Sequence, residues 1–286
     1  MTISAAEVYI NPSTTIYPNS TTNVTMGQYR GHPARFTEKR QLNFHSRAGI
    51  DVHATPRTQV ILRRAHESPR HIPVAGIYQT GNALGSRTFL VEAPYDYTQL
   101  EGHIISILNA DAILSLFKQA TEIVVDLHSK NLVHGSIMAE SFVVNSSGNL
   151  YLSQFEDMRI EDPNSPFRPI GGPAVGAMAF MAPELLDSLR GDGVASLSKA
   201  TDIYALGCLG FQLFSKSEPF QKYTGLSGNL AIAQVKLITA VVDRHERPER
   251  FAGAENIWNT LEACWAPDPA SRPSASDLLR RLTSVG

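Results

Sequence analysis

Few side chains in this sequence are placed to do chemistry. Glu156 and Asp157 set two carboxylates side by side, and hard anionic oxygens of that kind suit a divalent cation such as Mg²⁺. Ser136 follows His134 by two residues. A serine hydroxyl is not a general base near neutral pH unless another base activates it. Cys208 and Cys264 are the only cysteines, too few for a disulfide framework or a four-cysteine zinc site. Asn19, Asn23 and Asn145 stand in N-x-S/T triplets, which are coincidence in a chain that is not exported.

The composition sets the frame for these groups. Hydrophobic residues are 43% and charged residues 18% of 286, which excludes a globally disordered chain. A net charge of −2 exerts no overall pull on nucleic acid or anionic lipid, so neither is expected as a partner. The charge is uneven: residues 1–95 hold 10 basic and 5 acidic side chains, and residues 96–286 hold 15 and 22. Such asymmetry can mark two lobes. Residues 1–18 lack a basic region followed by an apolar run, and no apolar stretch approaches the 18 residues of a membrane span. The expected compartment is the cytoplasm.

The elements that would position these residues differ along the chain. Residues 1–26, rich in Ser, Thr, Asn and Pro, read as irregular or edge-strand material. Alternating runs predict strands at 28–36 and 88–91, with a helix over 57–65 stopped by Ser68-Pro69. From Ala110 to Ser129, apolar residues recur at 3–4 spacing (Ile113, Leu116, Phe117, Ala120, Ile123, Val124, Leu127), which predicts a buried amphipathic helix. Two short strands follow at 142–145 and 149–153 around a Ser147-Gly148 turn. Residues 160–176 are Pro/Gly-rich, and helices are predicted at 200–214, 230–242, 256–265 and 274–282. The expected class is α+β, with a small β-rich lobe, a connector near 92–100 and a larger helical lobe.

Four motifs then stand in order. Residues 127–155 read LHSKNLVHGSIMAESFVVNSSGNLYLSQF; 181–184 read MAPE; 202–207 read DIYALG; and 264–273 read CWAPDPASRP. Together they resemble the catalytic loop, the end of the activation segment, the buried helix after it and the arginine-bearing turn of the protein kinase superfamily. The resemblance covers about residues 16–282. It implies a bilobal kinase-like fold, with an irregular segment at 1–15, an N-lobe at 16–95 and a C-lobe at 96–286.

The resemblance also implies that the catalytic groups are degenerate. The glycine loop aligns to residues 16–24, where Tyr17, Asn19 and Thr22 take the glycine positions. A Cβ there, Tyr17 above all, blocks the approach of backbone N–H groups to phosphate. Thr37 stands for the phosphate-pairing lysine and Gln59 for its glutamate partner. Lys39, on the same strand face as Thr37, lies about 7 Å along the strand. Ser136 replaces the catalytic aspartate, Met138 the phosphate-contacting lysine, Ser141 the metal-binding asparagine and Gln154 the metal-binding aspartate. Phosphoryl transfer is mostly positioning and charge neutralisation, and these positions carry no charge.

The anchors of the scaffold are retained. His134 and Phe155 match core-packing positions, Glu184 and Arg272 a buried ion pair, Asp202 the anchor of the catalytic-loop backbone, and Trp265 and Pro267 a packing turn. The resemblance therefore implies a pseudokinase: a signalling scaffold or regulatory module that binds another protein, needs no cofactor and binds ATP and Mg²⁺ weakly or not at all. The alternative is an atypical ATP-dependent serine/threonine kinase working through Lys39, Glu156 or Asp157.

Overall fold

The computed structural model describes residues 2–39 apart from 12, 14, 15, 20 and 21; 70–162 apart from 73, 83, 84, 94, 95, 105, 107, 108 and 154–157; residue 164; and 175–285 apart from 192–194 and 226–228. They fall into two compact units that divide between Tyr97 and Thr98. The helix expected over 57–65, with Gln59, lies outside the described residues, as do Gln154, Phe155, Glu156 and Asp157.

The first unit is built on a seven-stranded sheet. Its strands are β1 (Thr2–Ile3), β2 (Val8–Ile10), β3 (Ile16–Asn19), β4 (Thr22–Tyr29), β5 (His32–Lys39), β6 (Val74–Asn82) and β7 (Gly85–Glu92). The order is β1-β6-β7-β5-β4-β2, with β3 also on β4. Residues 1–15, read as irregular or edge-strand material, supply the two strands at the ends of the sheet order, β1 and β2. Ile3 is buried in the core of the unit, and Val8 and Ile10 pack against that core. The strand expected over 28–36 is two strands. Arg30 and Gly31 both take positive φ, 50° and 79°, and reverse the chain in the two-residue turn that a right-handed hairpin favours. Arg30 accepts that backbone while its Nε donates to Glu7 Oε1 at 2.6 Å.

One face of this sheet is a packed apolar core. Ala34, Phe36, Phe89, Val91, Ile3 and Tyr29 form it, with Phe36 edge-on to Phe89 at 6.4 Å and Tyr78 stacked on Phe89 at 6.1 Å. Strand side chains alternate, so Arg35 and Thr37 point the other way.

The second unit is mainly helical. It comprises β8 (Thr98–Gln99), α1 (Leu100–Ile104), α2 (Ala110–Ser129), β9 (Leu132–Val133), β10 (Phe142–Val144), β11 (Leu150–Leu152), β12 (Arg159–Ile160), α3 (Val175–Met178), α4 (Pro183–Ser188), α5 (Lys199–Ser215), α6 (Gln221–Thr224), α7 (Leu230–Ile238), α8 (Trp258–Cys264) and α9 (Ala275–Thr283). The class is α+β, as the residue patterns implied. The apolar positions read from the α2 periodicity are all buried. The helix expected over 230–242 runs as α7 to Ile238 and then widens into a π turn, in which the Arg244 N–H donates to the Thr239 carbonyl at 3.2 Å.

Helix α5 is the axis of this unit: every residue from Thr201 to Leu213 is buried. Ser198 starts it with a capping box, donating and accepting with Thr201. Its glycines permit close packing on both sides. A Cβ on Gly207 would lie 2.6 Å from Trp265 Nε1 and 2.7 Å from Cys264 Cβ, and one on Gly210 would lie 2.7 Å from Phe117 Cζ. Both cysteines are free and buried. Burial pushes both thiols up, Cys264 to about 12, so neither offers a thiolate nucleophile. Among the described residues, no helix is long and apolar enough to cross a membrane.

Gly207→Ala overpacks this contact, and an added methylene in a dense core costs about 1–3 kcal/mol. Urea unfolding followed by tryptophan fluorescence will show a lower midpoint with unchanged slope, and altered emission from the displaced Trp265 in the folded state.

Candidate functional site

The loop that follows β9 is held by one carboxylate. Asp202, 1% exposed in the first turn of α5, accepts the His134 N–H at 2.8 Å on Oδ2 and the Gly135 N–H at 2.9 Å on Oδ1. His128, near the end of α2, places Nε2 3.0 Å from the same Oδ2. A carboxylate only accepts, so the imidazole proton sits on Nε2. Gly135 takes φ 78°, a left-handed turn that L side chains resist. His134 is buried, and its Nδ1 accepts the Ser136 N–H at 3.3 Å.

The expected catalytic positions sit along this loop. Ser136 and Met138 are half-buried. Ser141 is fully buried and spends its groups on structure. Its Oγ donates to the Ser136 carbonyl at 2.6 Å, and its own carbonyl accepts the Ser153 N–H at 2.9 Å. The Ser141 hydroxyl thus closes the loop on itself, and β10 and β11 fix the far side by antiparallel pairing of Phe142 with Leu152. Glu140 lies in the short 3-10 turn Ala139–Ser141 that leads into β10. Burial pushes its carboxyl above the usual carboxylate range, while a backbone hydrogen bond opposes the shift.

The second tie is the Arg272–Glu184 pair. Arg272 donates from Nη1 to Oε1 at 2.7 Å and from Nη2 to Oε2 at 2.8 Å, a two-pronged geometry. Its remaining donors reach the Ala200 carbonyl at 3.0 Å and the Ala266 carbonyl at 3.0 Å. The guanidinium also stands over the Tyr204 ring at 5.3 Å. Tyr204 is wholly buried, and burial raises its phenol far above the normal range.

In the sheet unit, Tyr17 and Asn19 lie on β3 and Thr22 opens β4, with Asn19 opposite Thr22 at the hairpin. Thr37 is buried on β5, and its Oγ1 has no hydrogen-bond partner among the described residues. Lys39 closes that strand. Two features lie beyond the sequence pattern. His128, expected only within a helix ending, donates to Asp202; its helical placement one turn before the loop is the available signal. Arg35 pairs with Glu92 across β5 and β7 at 3.3 Å, with both side chains buried; charged residues inside strand patterns gave no sign of it.

Among the described residues, no three His, Cys, Asp or Glu side chains converge as a metal site would require. The protein kinase domain family matches residues 53–282. The chain is similar to mitogen-activated protein kinase kinase kinase 10 of Xenopus laevis, 32% identical over 112 residues, covering 39% of this chain and 10% of that protein. It is similar to mitogen-activated protein kinase kinase kinase 5 of Homo sapiens, 30% identical over 164 residues, covering 57% and 11%. A probable serine/threonine-protein kinase mps1 of Dictyostelium discoideum is 23% identical over 175 residues, covering 60% and 17%. The matched part therefore spans a small fraction of each relative's length.

The Arg272 side chain is wholly buried and Glu184 is half-buried, so removing the carboxylate is the severe change, because it strands the buried cation. Glu184→Ala will lower stability by about 3 kcal/mol in urea titration. The pH dependence of Glu140 has a definite sign. Its folded pKa is raised, so its contribution favours folding at acid pH and is lost as pH climbs past the unfolded value through the folded one. Glu140→Gln will raise the melting temperature at pH 7, and the gain will shrink toward pH 4.

Proposed function

Because the chain belongs to the protein kinase domain family, we propose that it is a pseudokinase: a regulatory scaffold that binds a protein partner and transfers no phosphate. The observation that carries this is a contrast within one loop. The backbone of His134 and Gly135 is held in place by Asp202, yet the residues that loop presents are Ser136, Met138 and Ser141. A nucleotide with Mg²⁺ needs cationic groups for its phosphates and hard anionic oxygens for its metal. Thr37, Ser136, Met138 and Ser141 bring neither, and the Ser141 hydroxyl is already bonded inward. The donor set does not fit the group.

The partner fits the class of signalling proteins, in line with the mitogen-activated protein kinase kinase kinases to which the chain is similar. A cytoplasmic location follows from the same reading. Losing a general base alone costs about 10²–10⁴-fold in rate, and here the lysine, base and metal positions are changed together.

A transfer assay with radiolabelled ATP, Mg²⁺ and a generic protein acceptor tests this. No incorporation above background is expected. Incorporation that disappears in Glu156→Ala would establish the alternative, an atypical kinase that uses non-standard residues.

A further inference from the structure

The sheet of the first unit has two unlike faces. Phe36 and Ala34 of β5 face the apolar core. On the opposite face the antiparallel register lines up Met26, Arg35 and Glu92 in one cross-strand row, and Val24, Thr37 and Leu90 in the next. Arg35 Nη1 lies 3.3 Å from Glu92 Oε2, and the two side chains are 2% and 0% exposed. This is an ion pair wholly inside the protein, laid across β5 and β7.

Its place on the strand gives it meaning. Thr37 is the position at which a kinase-like strand carries its phosphate-pairing lysine, so a nucleotide would lie along this face of β5. Two residues back on the same face, about 7 Å away, the next side chain is Arg35. The phosphate end of such a ligand would lie by Thr37 and its remainder along the row of Met26, Arg35 and Glu92, unless it ran toward Lys39 at the strand end. A heteroaromatic ring binds in a concave, mostly apolar pocket with a few directed hydrogen bonds. Here a guanidinium and a carboxylate, both buried, occupy that ground 3.3 Å apart.

We propose that the Arg35–Glu92 pair is a built-in plug that closes this face of the sheet to a nucleoside. Any base entering there must separate two buried opposite charges, and that separation lowers affinity by on the order of 10²–10³-fold. The plug acts independently of the missing phosphate and metal ligands. A chain could lack those groups and still hold a nucleoside; this one is closed at the base end as well. The inference rests on the reading of the chain as a kinase-like module.

Adenosine is the deciding probe, because it has no phosphate and needs no metal. Titrated calorimetrically into the full chain, it is expected to give no heat of binding up to the millimolar range. Micromolar binding by the unmodified chain overturns the plug but leaves the lack of phosphotransfer standing, since that is read by the radiolabel assay. Arg35→Ala/Glu92→Leu removes both charges together, and replacing a buried pair with apolar groups is often neutral for stability. This variant is expected to gain adenosine affinity by about 100-fold or more. A folded variant that remains blind to adenosine overturns the proposal. The volume-keeping Arg35→Met/Glu92→Met variant is the stability control: it is expected to fold at least as stably as the parent. Collapse of both variants would assign the pair to holding the sheet together instead, and would overturn the plug too.

Discussion

The second unit depends on the first turn of α5. Asp202 accepts two backbone N–H groups and the His128 imidazole from inside the protein. A buried carboxylate is costly unless its oxygens are satisfied, and here both are. The position adds to this, because the N-terminal end of a helix favours negative charge. Two other ties meet at the same turn. Arg272 bonds the Ala200 carbonyl while it holds Glu184, and the Lys199 N–H donates to Glu161 Oε1 at 2.9 Å. The loop after β9, helix α4, the segment after β12 and the turn before α9 are therefore all fixed to a single helical turn.

That arrangement holds the loop without help from the side chains at 136 and 138. The groups that shape the loop are Asp202, His128, His134 and Ser141, and their bonds run to backbone or to each other. None depends on the identity of residue 136 or 138. Substituting Ser136 and Met138 at half-exposed positions leaves every one of those bonds in place. The backbone geometry of the loop is set by buried interactions that do not involve those two side chains.

The sequence was most readable where burial is periodic. The α2 stripe from Ile113 to Leu127 and the continuous apolar run of α5 announce buried helices, and family-like spacing located Asp202, Glu184 and Arg272. What escaped was set by tertiary context. Arg30 occupies a left-handed turn position, so no glycine-glycine or asparagine-glycine pair flagged the hairpin between β4 and β5. The strands before residue 15 carry only Ile3, Val8 and Ile10 as apolar anchors in a polar segment. Arg35 and Glu92 lie 57 positions apart, and nothing in either local pattern pairs them; only the β5–β7 register does.

The Arg35–Glu92 pair also resists explanation by stability alone. A buried ion pair gains Coulomb energy but loses the hydration of both charges, and apolar residues of similar volume often serve as well or better. The apolar face of the same strand shows that this sheet is packed by Phe36, Phe89 and Val91 without help from charge. The pair on the other face contributes something packing does not. It can fix the register of β5 against β7, because a one-residue slip would turn Arg35 into the apolar core and strand Glu92 without its partner. One interaction thus ties the register of β5 to that of β7 through two opposite charges buried on the same face, and a change that keeps both charges keeps that tie.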